Sequence, residues 1–91
     1  MAMNAGWFTI DGERVVQAFE EVLGKLDSAK GEMFLDFSSV DRIDSNALGA
    51  MEKLAGTSHD KAVKVVLHGV NVDVYKVLKL AKLAPRFSFL S

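Results

Sequence analysis

The residues best placed to do chemistry lie in one run, Asp36-Phe37-Ser38-Ser39-Val40-Asp41-Arg42-Ile43-Asp44-Ser45-Asn46-Ala47-Leu48-Gly49. It begins as an apolar strand, crosses a short acidic and polar loop, and enters an amphipathic helix at Asp44-Ser45. A serine hydroxyl at a helix N-terminus sits among backbone N–H groups that lack an intrahelical acceptor and favour an anion. The chemistry this position permits is acceptance of a phosphoryl group. The fold would tolerate the added charge, while a partner would meet a different surface. Serine and aspartate are also preferred helix N-caps, so the bland role for Asp44 or Ser45 is to satisfy first-turn N–H groups. The two roles are compatible, because both draw on the same free donors.

Other reactive side chains form no comparable group. Asp11, Glu13, Asp36, Asp41 and Asp44 could supply an acid–base pair, but no nucleophile or substrate pocket accompanies them, and no catalytic residue is expected. His59 and His68 fall near opposite ends of one strand region without a second nitrogen or thiolate at metal spacing, so no metal or other cofactor is expected. No Gly-x-x-x-x-Gly-Lys-Ser/Thr loop is present to hold nucleotide phosphates. Lys76, Lys79 and Lys82 form a basic stripe whose default reading is a solvated face, with an acidic partner as the alternative. Trp7 and Met51 read as packing residues.

Positioning Ser45 requires alternating strands and helices. Trp7-Phe8-Thr9-Ile10 reads as a short strand, ended by Asp11-Gly12. A helix opens there, with Val15, Val16, Phe19, Val22, Leu23 and Leu26 at helical spacing. Met33–Phe37 reads as a buried strand between Lys30-Gly31 and Ser38-Ser39. The second helix is expected over about Ser45 to Ala55. Val63–Leu67 is a third strand, with Lys64 facing outward near an edge. Asn71 is placed to cap a third helix carrying Val74, Leu78 and Ala81 on one face, with Val77 alongside. Pro85 is expected to stop that helix before a last strand, Phe87–Leu90. Each crossover is long enough for a parallel connection. The expected fold is therefore an α/β domain spanning residues 1–91, with a four-stranded, largely parallel sheet and three right-handed crossover helices.

The chain has 91 residues, 49% apolar and 25% charged, within the range of one ordinary globular domain. Its net charge of −1, from 11 basic and 12 acidic residues, provides no global field for nucleic acid or an anionic membrane. The absence of cysteine excludes disulfides and thiolate sites and fits a reducing compartment. The start of the chain lacks a basic segment followed by an apolar run, and lysines interrupt the longest apolar stretch. A cytoplasmic location without membrane insertion is expected.

On a helical wheel centred on Met51, Ala47, Leu48, Leu54 and Ala55 fall within about 60° at 100° per residue. Ser45, Asn46, Gly49 and Lys53 fall on the opposite side. An exposed glycine inside a helix costs roughly 1 kcal/mol relative to alanine. Gly49 beside Ala50 would make a low shelf next to Ser45, where a partner backbone could lie close.

The run from Asp36 to Gly49 resembles the central motif of STAS domains, the sulphate-transporter and anti-sigma-factor-antagonist family. Asp36-Phe37-Ser38-Ser39-Val40 is similar to that family's Asp-Leu-Ser-x-Val strand. Ile43-Asp44-Ser45-Asn46-Ala47-Leu48-Gly49 is similar to its Ile-Asp-Ser-Ser-Gly-Leu-Gly segment, with Asn46-Ala47 where the family has Ser-Gly. Val77–Leu83 followed by Phe87 is similar to its third helix and last strand. Compared with many members, the opening before Trp7 is short and a C-terminal helix is missing. The resemblance implies a bacterial, non-enzymatic regulator of transcription. In that role Ser45 is phosphorylated by a partner that is both serine kinase and anti-sigma factor, and a phosphatase resets the switch. Asp41, Asp44, Asn46, Gly49 and Lys53 are the expected partner-binding residues. The rival expectation is an unphosphorylated STAS subunit docked on a transporter, for example beside the ATPase of a lipid transporter. Pairing of two copies through the first strand is left open.

Overall fold

The computed structural model describes residues 6–26 and 31–90. Four strands, β1 (Gly6–Thr9), β2 (Glu32–Asp36), β3 (Lys64–His68) and β4 (Ser88–Leu90), alternate with three helices, α1 (Val15–Lys25), α2 (Ser45–Asp60) and α3 (Val72–Leu80). The sheet order is β1-β2-β3-β4 and every neighbouring pair is parallel. The four-stranded α/β sheet with three crossover helices is therefore the architecture observed.

Strand alternation sorts the side chains between two faces. Register aligns Phe8 with Leu35 and Leu67, and Met33 with Val65, on the face that packs against the helices. Phe19 and Val22 of α1, Ala47, Met51 and Leu54 of α2, and Val74 and Leu78 of α3 complete one continuous core with these strand residues. The alternate row places Trp7 beside Phe34, with ring centroids 5.7 Å apart, and Glu32 beside Lys64 at 3.8 Å. That second face carries no helix among the described residues, and Trp7 is 53% exposed on it rather than packed inside.

Several boundaries differ from the sequence reading. Asp11-Gly12 does not open α1: Asp11 first folds a turn, accepting from the Arg14 and Glu13 N–H groups, and the helix begins at Val15. Helix α2 continues past Ala55 to Asp60 because Ser58, buried at 4%, donates to the Ala55 carbonyl and suits a helix interior. His59 consequently lies on α2, while His68 ends β3. Lys64 does face outward, but β3 is an inner strand and not an edge. Helix α3 ends at Leu80, before Pro85 can act, because Lys82 adopts a left-handed φ of 62° and Leu83 turns back to the Leu78 carbonyl. Pro85 lies instead in a short 3-10 turn, Ala84–Arg86.

Candidate functional site

The segment between β2 and α2 is built as a braced loop. At the end of β2, Asp36 Oδ1 accepts from the Ser38 N–H at 2.9 Å and the Ser38 hydroxyl at 2.6 Å. These two bonds, foremost the one from the hydroxyl, hold the Asp36 carboxyl below its ordinary range; His68, with Nδ1 3.8 Å away, adds to the effect. The carboxylate thus folds a turn, which accounts for the Asp-x-Ser pairing in structural terms. Ser39 donates to the Ile10 carbonyl at 3.0 Å and ties the loop to the end of β1.

Two glycines let backbones approach this loop. A Cβ on Gly12 would collide with the Ser39 carbonyl oxygen. Gly69 has φ +75°, and a Cβ there would meet the Ser38 hydroxyl at 2.5 Å. Asn71 supplies the third brace. Its Oδ1 accepts from Val74 N at 2.7 Å and caps α3, while its Nδ2 donates to the carbonyls of Val40 (3.3 Å) and Asp41 (3.2 Å). Val40 and Ile43 anchor the loop from below, at 2% and 7% exposed. One residue therefore couples the start of α3 to the segment that presents α2.

At the helix start the capping question resolves in favour of Asp44. Its extended backbone and side chain cap α2, with the carboxylate accepting from Ala47 N at 2.8 Å. Ser45 is the first helical residue. It is exposed, and its hydroxyl has no hydrogen-bond partner among the described residues. The cap leaves the N–H groups of Ser45 and Asn46 without an acceptor among those residues, so a local positive potential persists there. Asp41 and Arg42, both exposed in the preceding loop, set the nearby charge.

Every expected site residue reaches the protein surface. Asp41, Asp44, Ser45, Asn46, Gly49 and Lys53 are all exposed, while Ala47, Met51, Leu54 and Ala55 are buried on the opposite side of α2. Leu48, expected in the buried stripe, is only half-buried at its margin. A Cβ on Gly49 would meet nothing within 4 Å, so this glycine serves no close contact inside the molecule. Beside the loop an open groove of about 460 Å³ runs between the starts of α1 and α2, with Arg14, Arg42 and Asp44 in its lining. The sequence reading did not include Arg14, Arg42 or the second bond of Asn71 in the site. Only the pairing of β1 with β2 brings Arg14 to Arg42, and no local pattern announces it.

The remaining candidates stay apart. His59 on α2 and His68 on β3 do not meet, and no cluster of three metal-ligating side chains occurs among the described residues. No helix there is long and apolar enough to cross a membrane.

None of the curated proteins matches the chain. Among solved structures, a candidate anti-sigma factor antagonist from Thermotoga maritima superposes with a TM-score of 0.72 at 23% identity, covering 98% of this chain and 75% of that one. At that identity the likeness concerns the fold. The STAS domain model matches residues 8–90, which include every strand and helix except Gly6 and Trp7 at the start of β1. This chain belongs to the STAS domain family.

Proposed function

We propose that the protein is an anti-sigma-factor-antagonist-like regulator that docks a serine kinase acting also as anti-sigma factor, and that phosphorylation of Ser45 releases that partner. The observation that carries this reading is the division of labour at the start of α2. Asp44 does the capping, which leaves the exposed Ser45 hydroxyl free for a second use. Gly49 lies one helical turn further along, with open space above it, so a partner can approach the backbone beside the hydroxyl. Asp41, Asn46 and Lys53 supply the polar rim.

The switch acts through charge. A phosphoserine carries about −1.5 to −2 charges at neutral pH. The helix start stabilises it by roughly 0.3–2 kcal/mol, and Asp41 and Asp44 oppose it. These contributions are of similar size, so the fold is left nearly unchanged while a partner shaped for a neutral serine meets a dianion. The domain itself performs no catalysis in this reading, and a phosphatase restores the free hydroxyl in the bacterial cytoplasm.

The test is incubation of the full chain and its Ser45→Ala variant with the serine kinase of the same genome. A mass gain of one phosphoryl group in the first and none in the second supports the switch. Absence of modification, together with co-purification of a transporter ATPase, would replace it with the accessory-subunit reading, in which the Gly49 surface is a permanent dock.

A further inference from the structure

The far edge of the sheet has the composition of a second interface. Among the described residues the large apolar side chains exposed at the surface are Trp7, Val72, Tyr75, Leu80, Phe89 and Leu90, and all but Trp7 belong to α3 and β4. Leu80 is 85% exposed and Val72 67%. Clustering of this kind marks an interaction surface more often than scattered apolar exposure does. Strand β4 is terminal in the sheet, and no strand pairs with its outer edge among the described residues. A cleft of about 250 Å³ opens between the start of α3 and the end of β4, lined by Val70, Val72, Tyr75, Phe89 and Leu90. Tyr75 stands edge-on against Phe89, with ring centroids 5.2 Å apart, and forms its wall.

Charge identifies the occupant. Of the 12 acidic residues only Asp73 lies beyond residue 60, whereas Lys61, Lys64, Lys76, Lys79, Lys82 and Arg86 all do. Lys79 follows Tyr75 by four residues and so continues its row along the helix, with Lys76 alongside. Neither lysine has an acidic partner among the described residues. A second copy is a poor match by charge: it brings the same edge, with the basic helix α3 packed beside β4 through Tyr75 and Phe89, so like charge would meet like charge. An acidic chain is the complement.

From this we infer that the β4–α3 edge docks an extended segment of a partner protein that carries alternating acidic and apolar side chains. The segment adds a strand to β4, places an apolar side chain in the cleft at Tyr75 and Phe89, and sets its carboxylates against Lys76 and Lys79. Main-chain pairing gives such strand addition its affinity, and the side-chain pocket gives it selectivity. This surface is distinct from the Ser45 shelf and does not depend on phosphorylation.

The probe is a fluorescein-labelled peptide alternating glutamate with valine and phenylalanine, titrated by anisotropy with the full chain. Binding that weakens as salt rises, falls at least tenfold in Lys76→Glu/Lys79→Glu and in Tyr75→Ala, and persists in Ser45→Asp supports the inference. Circular dichroism melts confirm that these variants fold. A peptide with a central proline should bind at least tenfold more weakly, since it cannot complete the strand. Equal binding of the proline peptide, no binding at millimolar concentration, or capture of phosphatidylglycerol vesicles in place of peptide would overturn it. So would a lysine-independent dimer in sedimentation that occludes the edge.

Discussion

Replacing Gly49 with alanine separates what the fold wants from what a partner wants. A glycine in a helix interior is less favourable than alanine by about 1 kcal/mol, through backbone entropy lost on folding. Gly49 is exposed, helical and four residues into α2, and its added Cβ would meet nothing within 4 Å. No contact cost offsets the gain. Gly49→Ala should therefore raise the free energy of unfolding by about 1 kcal/mol, which for a domain of this size is a rise in Tm of about 4–8 °C. Urea titration by circular dichroism measures it, with an unchanged denaturant slope indicating that stability alone has moved.

The same methyl group should harm docking. If a partner backbone lies on the shelf beside Ser45, an inserted methyl overpacks that contact at a cost of about 1–3 kcal/mol, roughly 5- to 150-fold in Kd. Gly24→Ala is the control: Gly24 also has open space around its Cβ position but lies in the last turn of α1. It should stabilise by a smaller amount and leave partner affinity alone. A variant at Gly49 that melts below the wild type would refute the structural reasoning. One that melts higher yet binds the partner unchanged would remove Gly49 from the interface.

Ser45→Asp should weaken partner binding while shifting Tm by no more than a degree or two, because Asp44 retains the cap; calorimetric titration and a thermal melt read the two effects separately. Asn71→Ala should cost about 1 kcal/mol for the lost cap of α3, and it should also lower partner affinity, since the Val40 and Asp41 carbonyls lose their brace; hydrogen exchange across residues 38–44 would report the loosening. Asp36→Asn tests the lowered carboxyl. A carboxyl held below its unfolded value contributes stability fully present above about pH 4 and lost as pH falls through the folded value. The variant should thus be less stable than the wild type at pH 7 and converge with it as acid takes the carboxyl below its folded value, and parallel stability curves through the acid range would contradict the assignment. Gly69→Ala, placing a Cβ at φ +75° against Ser38, should be destabilising by more than 1 kcal/mol in the same urea assay.

What could be read from the chain in advance follows the range of the forces involved. The buried stripe of α2 and the outward placement of Ser45, Asn46, Gly49 and Lys53 depend on a period of 3.6 residues, which eleven positions reveal without any tertiary context. The strand order does not, yet a largely parallel sheet is legible because each crossover is long enough for it. Boundaries were less so. Ser58 extends α2 by bonding its own helix at Ala55, where a serine would more often be taken for a stop. Pro85 reads as the breaker in sequence, whereas the break at Lys82 comes from a left-handed residue that composition does not announce.

The braces of the Ser45 loop were the least legible, and the reason bears on how the site works. Asn71 announces itself as a cap through its neighbours at positions 72–74, but its two donors reach residues 31 and 30 positions earlier in the chain. Ser39 likewise reaches back 29 positions to Ile10. Bonds of that span exist only once β1, β2 and β3 are paired, so the loop acquires its shape from the whole sheet. The hydroxyl it presents makes none of those bonds. In the proposed switch, stability and signalling thus fall to different residues, and a charge placed on Ser45 need not propagate into the core to be read. A switch of this kind works at its surface, and coupling to the fold would appear as a change in exchange on phosphorylation at Val74 and Tyr75, whose N–H groups bond to Asn71; a switch confined to the surface requires those amides to stay as protected as before.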